Sequence, residues 1–506
     1  MINVLLAALA GVLFAWAFPD VAQGWLAFIA FAPLLIAIVR AKSTRQAVLL
    51  GWLSQTIAWL IMVPWVVRVM SHYGGVSVPV GIALLIAMAL ILGAYGALFA
   101  WAVYRFRLDV AFGRWLLVPL AWAAAEYART YLLTGFPWNL IATAIVDYPT
   151  LIQIDRAAGP YFTGALILFP STVIAWWVTQ KPTAPQRVVI GGMLGILALV
   201  WWGTGLVASK LLVRPTGTPP VKAAMLQPNI AQEMRWDAAN TVAIYQKMIA
   251  MTMTAADNGA QIIIWPESTV PLSYSSTAFY RDSIEQISRD RNVDIILGSV
   301  AEDPEVRTRI WNSAFLTSGG RTVGHYDKIR LVPFGEYVPL RKLLFFAEKL
   351  VRAVGEFSVG TNDQPLTGKL KYGPAICYEV VYPQISRTQI NNGAEVIVTI
   401  TNDAWFDGSS APRQHLNQAR LRAVEGDRYM LRAGTTGISA FIDPTGQIRA
   451  ELPMGREGIV YAEFQPRRTE TLYVKFGDWF AWLAATMVLV GMVMKKRKER
   501  RTQNAE

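Results

Sequence analysis

The sequence predicts a membrane α-helical bundle of about eight transmembrane helices joined to a soluble α/β domain. Of the 506 residues, 54% are hydrophobic and only 16% are charged, which is more apolar than most soluble domains. Long apolar runs flank a central stretch, residues 214–475, that has ordinary charge density and frequent turn residues. That stretch alternates short apolar runs with helical patterns, as layered α/β domains do. We therefore expect a membrane part and a soluble part in one chain.

The membrane part is predicted from segments that match the thickness of a bilayer. A spanning helix needs about twenty mostly apolar residues, and seven such segments precede the soluble stretch while an eighth follows it. They cover residues 3–18, 24–39, 47–67, 78–104, 115–128, 161–178, 188–208 and 478–494. The first segment lacks a basic start and a small-residue cleavage site, so we predict a retained helix rather than a signal peptide.

Basic residues predict the orientation of these spans. They cluster in three short loops on one side and in the tail after the eighth span. The loop residues are Arg40, Lys42, Arg45, Arg105, Arg107, Arg114, Lys181 and Arg187. By the positive-inside rule both termini are cytoplasmic and the soluble domain faces the opposite, periplasmic side. This placement also attributes the net charge of +12 to anionic lipid headgroups rather than to nucleic acid.

The predicted domain boundaries follow from these spans. Residues 1–210 form the seven-helix bundle, 211–476 the soluble domain, and 477–506 the eighth helix with its basic tail. A periplasmic loop near residues 129–160 carries an apolar, turn-prone cluster that either dips into the outer leaflet or packs beneath the soluble domain. The cluster is Phe136, Pro137, Trp138 and Asn139. Glu126 is the main ionisable group predicted within a span.

In the soluble domain, apolar runs that end in polar residues predict strands. The runs are 222–226, 261–265, 294–298, 375–378, 396–401 and 439–442, and residues 238–257 form a helical pattern. Reactive groups gather at strand ends in such domains. Three candidates stand out there: Glu267 after the second run, Lys328 before an apolar stretch, and Cys377 within the run at 374–377.

A thiol, a carboxylate and an ammonium are together sufficient for acyl chemistry. Cys377 would attack, Glu267 would take the thiol proton, and Lys328 would stabilise an oxyanion. Cys377 is the only cysteine, which excludes an intramolecular disulfide, and three His residues without a ligand-spacing pattern predict no metal site. Each residue also has a simpler interpretation: a buried apolar Cys, a helix-terminal Glu, and a solvated Lys328–Asp327 pair.

Five segments resemble motifs of the nitrilase (carbon-nitrogen hydrolase) superfamily. They are IWPES at 264–268, YDK at 326–328, LVPFGEYVP at 331–339, ICYE at 376–379 and TNDAWF at 401–406. The order Glu, Lys, Cys along the chain also matches. More narrowly, eight spans with such a domain inserted before the last look like the apolipoprotein N-acyltransferase family, and this resemblance covers essentially the entire chain.

The resemblance implies a fold and a set of roles. The soluble domain would be an α-β-β-α sandwich, with Glu267 as general base, Lys328 as oxyanion stabiliser, and Cys377 as the nucleophile that becomes a thioester. Other positions would support the site or bind substrate. These are Glu336, Tyr378, Glu379, Trp236 and Asn312.

The resemblance also implies a reaction and its partners. An acyl chain would pass from a membrane phospholipid, with phosphatidylethanolamine as the expected donor, to the N-terminal α-amine of a diacylglyceryl-cysteine apolipoprotein. This is the last step of lipoprotein maturation, in the bacterial inner membrane, with no metal, cofactor or nucleic acid involved. The apolar stretch 343–346, bounded by basic residues, is either an arm that touches lipid or the end of a core helix.

Two other functions use the same features. The first is a membrane-tethered amidase or nitrilase for a small soluble amide, although one span would be enough to anchor it. The second is a transporter whose outer domain binds substrate. Transporters place ionisable groups at mid-membrane, and the predicted spans contain few, so this hypothesis is the weaker one.

Overall fold

The structure is a computed structural model, and it divides the chain into two compact units. It describes residues 1–106, 115, 117–180, 183–212, 217–235, 237–306, 309–337 and 357–503. The first unit comprises Met1–Val67, Ser77–Lys210 and Phe476–Glu506, and the second comprises Arg68–Val76 and Leu211–Lys475.

The first unit is helical because its long apolar runs contain few breaks. The residue type at position 43 explains where one helix begins. Ser43 Oγ accepts the backbone N–H of Gln46 and so caps the helix Thr44–Met62. The longer helices are Ile2–Trp16, Ala32–Val39, Thr44–Met62, Val78–Phe106, Leu117–Tyr131, Asp155–Gln180, Ala184–Leu212 and Trp479–Gln503. Short helical turns lie at Gly24–Phe28, Trp65–Arg68, Leu132–Thr134, Ile141–Ile145 and Pro149–Ile152.

Among the described residues, three helices are long and apolar enough to cross a membrane. They are Val78–Arg105, Asp155–Gln180 and Ala184–Ala208. The pair Thr44–Met62 and Trp65–Tyr73, bent by 56°, makes a fourth if it is one broken span. Several other predicted spans fall on apolar helices that are shorter, among them Ile2–Trp16, Gly24–Val39 and Trp479–Gly491. The count of about eight spans stays a prediction.

A buried ion pair anchors the predicted loop near 129–160. Arg129 Nη2 lies 3.5 Å from Glu126 Oε1, and both side chains are almost fully buried. Glu126 Oε1 also accepts the N–H of Ile141 at 2.8 Å, while Arg129 Nη1 donates to the carbonyl of Trp138 at 2.7 Å. Glu126, which the sequence places in the fifth span, therefore satisfies one backbone N–H of this loop, and Arg129 satisfies a carbonyl.

The second unit contains twelve described strands and several helices. The strands are Val221–Gln227 (β1), Ile262–Ile264 (β2), Asp294–Glu302 (β3), Ile310–Ser318 (β4), Arg321–Asp327 (β5), Leu366–Thr367 (β6), Lys371–Ile376 (β7), Val396–Thr401 (β8), Met430–Gly434 (β9), Ser439–Ile442 (β10), Ile448–Leu452 (β11) and Gly458–Phe464 (β12). The α-helices are Gln232–Arg235, Thr241–Asp257, Ala278–Arg291, Pro383–Asn391, Ala411–Gly426 and Leu472–Phe476. Single helical turns lie at Val69–Tyr73, Ala238–Asn240, Cys377–Val381 and Asp403–Phe406.

The strands form two six-stranded sheets. Their orders are β12-β1-β2-β3-β4-β5 and β11-β10-β9-β8-β7-β6. At the centre of each sheet three strands run parallel: β1, β2 and β3 in one, and β7, β8 and β9 in the other. The carboxyl ends of the parallel strands in each sheet therefore lie at one edge, where polar residues that follow them can meet.

The two sheets pack face to face, with helices on their outer faces. Ile264 of the first sheet and Val398 of the second belong to the inner core, whereas Ile263 packs with Met248 of the helix Thr241–Asp257 in an outer core. β2 is apolar at every position because both of its faces are covered. The second unit therefore has the expected α-β-β-α order.

Each of the six predicted strands overlaps a strand of the structure, and one correction matters for the site. The run 396–401 coincides with β8 and 439–442 with β10. Cys377, by contrast, does not lie within a strand as predicted: β7 ends at Ile376, and Cys377 begins a 3-10 turn. Its φ of 50° is incompatible with extended strand backbone.

Residues Arg68–Val76, here called the 68–76 segment, belong to the second unit although helices of the first unit flank them in sequence. The Tyr73 ring packs edge to face against the Trp405 ring, with 4.9 Å between centroids. His72 Nε2 lies 3.0 Å from Glu233 Oε1 at the surface. The predicted boundaries had assigned these residues to the bundle, because sequence alone does not reveal such long-range contacts.

Candidate active site

Three polar residues that follow strands of the second unit lie together in its interior. Glu267 comes shortly after β2, Lys328 directly after β5, and Cys377 directly after β7. Lys328 Nζ is 3.4 Å from Glu267 Oε1, and the Cys377 thiol is close enough to both groups for each to affect its pKa. The structure thus brings together the three residues singled out in the sequence.

Lys328 is enclosed between two carboxylates. Its Nζ lies 2.9 Å from Glu336 Oε1 and 3.4 Å from Glu267 Oε1, and the residue is 1% exposed. Burial opposes the charged form, but Glu336 and Glu267 outweigh it and raise the pKa of Lys328 above its usual value. The simpler interpretation of Lys328 as the solvated partner of Asp327 is wrong, because Asp327 accepts a hydrogen bond from Ser313 Oγ instead.

Asn312 on β4 links the two carboxylates. Its Nδ2 donates to Glu267 Oε1 at 2.6 Å and to Glu336 Oε1 at 2.9 Å. Its backbone carbonyl accepts the N–H of Lys328 at 2.8 Å. Because a side-chain amide nitrogen carries two protons, one residue satisfies both carboxylates and fixes them against the same cation.

Backbone groups fix the remaining oxygen of Glu267. Its Oε2 accepts the N–H of Asn402, which follows β8, at 3.0 Å. On the other side, Gly298 of β3 passes close to the turn that carries Glu267. A Cβ at position 298 would lie 2.6 Å from Ser268 N and 2.7 Å from Glu267 Cα. The position therefore requires glycine, which allows the strand to approach the turn this closely.

A tight turn positions Glu336. Phe334 N–H donates to the carbonyl of Tyr337 at 2.8 Å, and Phe334 adopts a φ of 62°. Glu336 Oε2 then accepts the N–H of Val332 at 2.8 Å, while Oε1 faces Lys328. The Pro-Phe-Gly-Glu motif thus uses one carboxylate oxygen to close its own turn and the other to bind the cation.

Glu379 accepts hydrogen bonds from the residue before Cys377, which is Ile376, and from the residue after Lys328, which is Ile329. Its Oε2 accepts the N–H of Ile376 at 2.8 Å, and its Oε1 accepts the N–H of Ile329 at 2.7 Å. Burial raises the pKa of Glu379 to about 7, although backbone N–H groups and Lys328 oppose the shift. Glu379 therefore acts through the backbone on both sides of the site.

Cys377 lies at a sharp bend between β7 and the turn that follows. The residue is 7% exposed and adopts a φ of 50°, in the left-handed region that side chains other than glycine rarely occupy. Burial and the nearby Glu267 raise the pKa of the Cys377 thiol well above its usual value, although Lys328 opposes this. The thiol is therefore protonated at neutral pH, and a base is needed when it attacks.

Two groups of residues near the site were missed in the sequence. Arg235 is 4% exposed, and burial lowers its pKa to about 10 although Glu267 and Cys377 oppose the shift. Behind Cys377, the buried His415 lies 3.0 Å from the Cys377 carbonyl oxygen and 3.1 Å from Asp403 Oδ1. Asp403 lies in the TNDAWF motif at 401–406, but no motif in the sequence marks Arg235 or His415, which come from segments far apart in the chain.

The remaining predicted residues have different outcomes. Tyr378 is buried, and its hydroxyl accepts a hydrogen bond from the Tyr382 hydroxyl at 3.3 Å. Trp236 and the apolar stretch 343–346 lie outside the described residues. Among the residues the structure describes, no group of three or more His, Cys, Asp or Glu side chains is arranged to hold a metal ion.

Comparisons with known proteins extend over nearly the whole chain. Residues 222–473 match the family described as carbon-nitrogen hydrolase, and residues 10–173 match the apolipoprotein N-acyltransferase N-terminal domain. An apolipoprotein N-acyltransferase of Geobacter metallireducens is 36% identical over 97% of this chain and 95% of its own. One of Pseudomonas putida is 31% identical over 92% of this chain and 91% of its own. A solved amidase from Nesterenkonia sp. is 22% identical and covers 50% of this chain and 93% of its own, with a TM-score of 0.38.

The two family matches lie in the order that the sequence motifs predict, with the membrane part first and the carbon-nitrogen hydrolase domain second. The two apolipoprotein N-acyltransferases named above align along almost the full length of the chain. The chain therefore belongs to the apolipoprotein N-acyltransferase family.

Proposed function

We propose that this enzyme transfers an acyl chain from a membrane phospholipid to the N-terminal α-amine of a diacylglyceryl-cysteine apolipoprotein, through a thioester on Cys377. The observation that carries the proposal is the buried Cys377 thiol beside Glu267 and Lys328, in a member of this family. A protonated thiol, a carboxylate and a buried ammonium supply the nucleophile, the base and the oxyanion stabiliser of acyl transfer.

The first half-reaction forms the thioester. Glu267 takes the proton as Cys377 sulfur attacks the ester carbonyl of the phospholipid, and Lys328 stabilises the negative oxygen of the tetrahedral intermediate. Collapse breaks the bond to the glycerol oxygen, which leaves with the proton held by Glu267. The products are an acyl thioester on Cys377 and a lysophospholipid.

The second half-reaction passes the acyl chain to the amine. Glu267 takes a proton from the incoming α-amine as its nitrogen attacks the thioester carbonyl, with Lys328 again at the oxyanion. Collapse breaks the carbon–sulfur bond, and the proton returns to the sulfur of Cys377. The balance is phospholipid plus amine giving lysophospholipid plus amide, and no cofactor enters it.

Glu336 and Asn312 serve this mechanism by fixing the charges. Glu336 lies nearer to the cation, at 2.9 Å, and so holds Lys328 in place when Glu267 becomes protonated. Asn312 donates to both carboxylates and keeps Glu267 oriented in either state. Preorganised charges of this kind act strongly in a buried site, where water does not screen them.

We infer that the second unit faces the periplasm, that both termini are cytoplasmic, and that the enzyme resides in the bacterial inner membrane. The distribution of Lys and Arg between the loops supports this orientation. It brings the site to the leaflet in which both substrates would be found. Phosphatidylethanolamine is the donor that we propose to test first.

The proposal is tested by intact mass spectrometry of the purified full chain. The protein is incubated with phosphatidylethanolamine, and Cys377→Ser serves as the control. Since the chain has no other cysteine, an acyl mass on wild type that neutral hydroxylamine removes must lie on Cys377. Addition of a diacylated lipopeptide with a free amine should discharge the adduct and yield a triacylated peptide.

Two outcomes would contradict the proposal. If the folded wild type gains no acyl mass in the presence of lipid, the hypothesis of a small-amide hydrolase gains support, and turnover of short amides is then measured. If an adduct forms but only water discharges it, the chain is a lipid hydrolase rather than a transferase.

A further inference from the structure

A buried polar cluster lies directly behind the nucleophile and takes no part in the mechanism above. His415 is 1% exposed, and Asp403 and Arg432 are fully buried. His415 Nε2 is 3.0 Å from the carbonyl oxygen of Cys377, and His415 Nδ1 is 3.1 Å from Asp403 Oδ1. Arg432 Nη2 donates to Asp403 Oδ2 at 2.5 Å.

The position of one proton follows from these contacts. A carbonyl oxygen can only accept, so the contact with Cys377 requires that His415 Nε2 carries a hydrogen. Nδ1 faces Asp403 Oδ1 and also lies 3.1 Å from Arg432 Nη2. With a neutral ring Nδ1 accepts from Arg432, and with a protonated ring it donates to Asp403. In both states Nε2 remains a donor to the nucleophile's own carbonyl.

The cluster is assembled from three separate elements of the second unit. His415 comes from the helix Ala411–Gly426, Asp403 from the turn after β8, and Arg432 from β9. Burial opposes ionisation of Asp403, but the charges of Arg432 and His415 outweigh it and lower the pKa of Asp403. Thr401 Oγ1 donates to Asp403 Oδ1 at 2.8 Å. Asp403 is thus a buried anion that several donors hold in place beside the ring.

The contacted carbonyl belongs to a residue whose backbone needs support. Cys377 has a φ of 50°, which an L residue adopts only when surrounding contacts hold it there. Its carbonyl and the N–H of Tyr378 belong to one trans peptide plane, so they point in opposite directions. A hydrogen bond that fixes this carbonyl therefore also fixes the direction of the Tyr378 N–H and the placement of the Cys377 side chain.

We propose that His415 is a positioning residue, which holds the Cys377–Tyr378 peptide plane in the orientation that thioester formation requires. Asp403 and Arg432 hold the ring so that Nε2 faces the Cys377 carbonyl. This inference rests on the proposed function, because it takes Cys377 as the nucleophile. His415 touches no reacting atom and acts only through the backbone.

Two conservative variants separate the two contacts of the ring. The amide nitrogen of Gln at 415 reaches the place of Nε2, so His415→Gln keeps a donor to the Cys377 carbonyl. The amide of Asn reaches only the place of Nδ1, so His415→Asn keeps a polar partner for Asp403 and loses the carbonyl contact. Both variants are polar, so they differ chiefly in which neighbour they reach.

The readout is the rate of lysophospholipid release in a single turnover of the full chain with phosphatidylethanolamine in micelles, together with the thioester mass. At saturating lipid we expect His415→Asn to lower the acylation rate about 100-fold, and His415→Gln to recover to within about tenfold of wild type. The half-saturating lipid concentration should change by no more than about twofold, because lipid binding does not involve this carbonyl.

Gln418→Leu is the matched control. Gln418 lies on the same helix and is 1% exposed, and among the residues that the structure describes it donates only to the Gln414 carbonyl, at 3.4 Å. This variant should lower the melting temperature while the acylation rate stays within about twofold of wild type. It therefore measures what loss of a buried polar contact on this helix does by itself.

Equal acylation rates for His415→Gln and His415→Asn would overturn the inference, as would a loss that appears only in the half-saturating lipid concentration. If His415→Asn does not fold, His415→Gln decides alone. An acylation rate within about tenfold of wild type supports positioning. A larger loss of rate, in a His415→Gln protein whose melting temperature equals that of Gln418→Leu, refutes it. Failure of the proposed function would look different, since wild type itself would then form no thioester or would pass its acyl chain only to water.

Discussion

Removal of the bridging amide at position 312 tests whether the two carboxylates work as one unit with Lys328. Asn312→Leu keeps the approximate volume of the side chain but deletes hydrogen bonds of 2.6 Å to Glu267 and 2.9 Å to Glu336. Hydrogen bonds to charged groups contribute about 1.5–3 kcal/mol each, and since Lys328 still contacts both carboxylates we expect a combined loss of about 3 kcal/mol. At about 1.4 kcal/mol per factor of ten, kcat/KM should fall about 100-fold.

The assay follows lysophospholipid release and amide formation with a labelled phospholipid and a diacylated lipopeptide. Thr317→Val is the control, because Thr317 lies on the same strand, is fully buried, and contacts the Tyr274 hydroxyl at 2.7 Å away from the cation. Both variants should lose thermal stability, but only Asn312→Leu should lose most of its activity. A decrease of less than about threefold in a folded Asn312→Leu protein would refute the reasoning that Asn312 organises the site.

Three further predictions concern the surroundings of the same cation. Gly298→Ala places a Cβ 2.6 Å from Ser268 N, so the turn that carries Glu267 must shift. We therefore expect kcat to fall at least about tenfold in the acyl-transfer assay. An unchanged kcat would show that the turn is not required in this position. Lys328→Met leaves the two buried carboxylates without their ammonium, so thermal unfolding in detergent should begin at a clearly lower temperature. No thioester should appear by mass spectrometry, and an acylated Lys328→Met protein would contradict the assigned role. Burial raises the pKa of Glu379 from 4.5 to about 7, so between these pH values the carboxyl is protonated in the folded state and ionised in the unfolded state. The free energy of unfolding should therefore decrease as pH rises through this range, by about 3 kcal/mol in total. Melting curves of wild type and Glu379→Gln from pH 5 to 8 check this, because the decrease of melting temperature with pH should largely vanish in the variant.

The three candidates Glu267, Lys328 and Cys377 could be singled out because Glu267 and Cys377 stand at the ends of apolar runs and all three lie in distinctive motifs. Their surroundings could be predicted only in part. Lys328 stands beside Asp327 in sequence, yet its partners are Glu267 and Glu336, which reach it through chain folding. Neighbouring opposite charges suggest a surface pair, and only the sheet register shows that β5 directs Lys328 inward.

The polar helix Ala411–Gly426 shows a second limit of sequence interpretation. Its Gln, Asn, Arg and Glu residues have the composition of a solvated helix, yet every residue in it except Arg413 is buried. His415 Nε2 and Arg422 Nη1 contact distant carbonyls, those of Cys377 and Val381. Hydrophobic periodicity cannot identify such a helix, because its burial depends on polar partners rather than on an apolar face.

The antiparallel strands other than β10 escaped prediction for a related reason. β5 alternates exposed and partly buried positions and contains few strongly apolar residues, and β11 has no fully buried residue. Short strands of this kind owe their existence to neighbouring strands that supply the hydrogen bonds. Five of the six parallel strands, β1, β2, β3, β7 and β8, have largely apolar centres and were visible in the sequence. The sixth, β9, carries the buried Arg432 and was not predicted.

The 68–76 segment means that the catalytic unit is not one uninterrupted cassette of sequence. An excised fragment spanning Leu211–Lys475 would lack the Tyr73 ring that covers Trp405 and the His72 partner of Glu233. Grafting the hydrolase portion onto another anchor would therefore transfer an incomplete module. Any chimaera between relatives has to exchange this stretch together with the loops it contacts, so recombination within the family is constrained at two distant places in the gene at once.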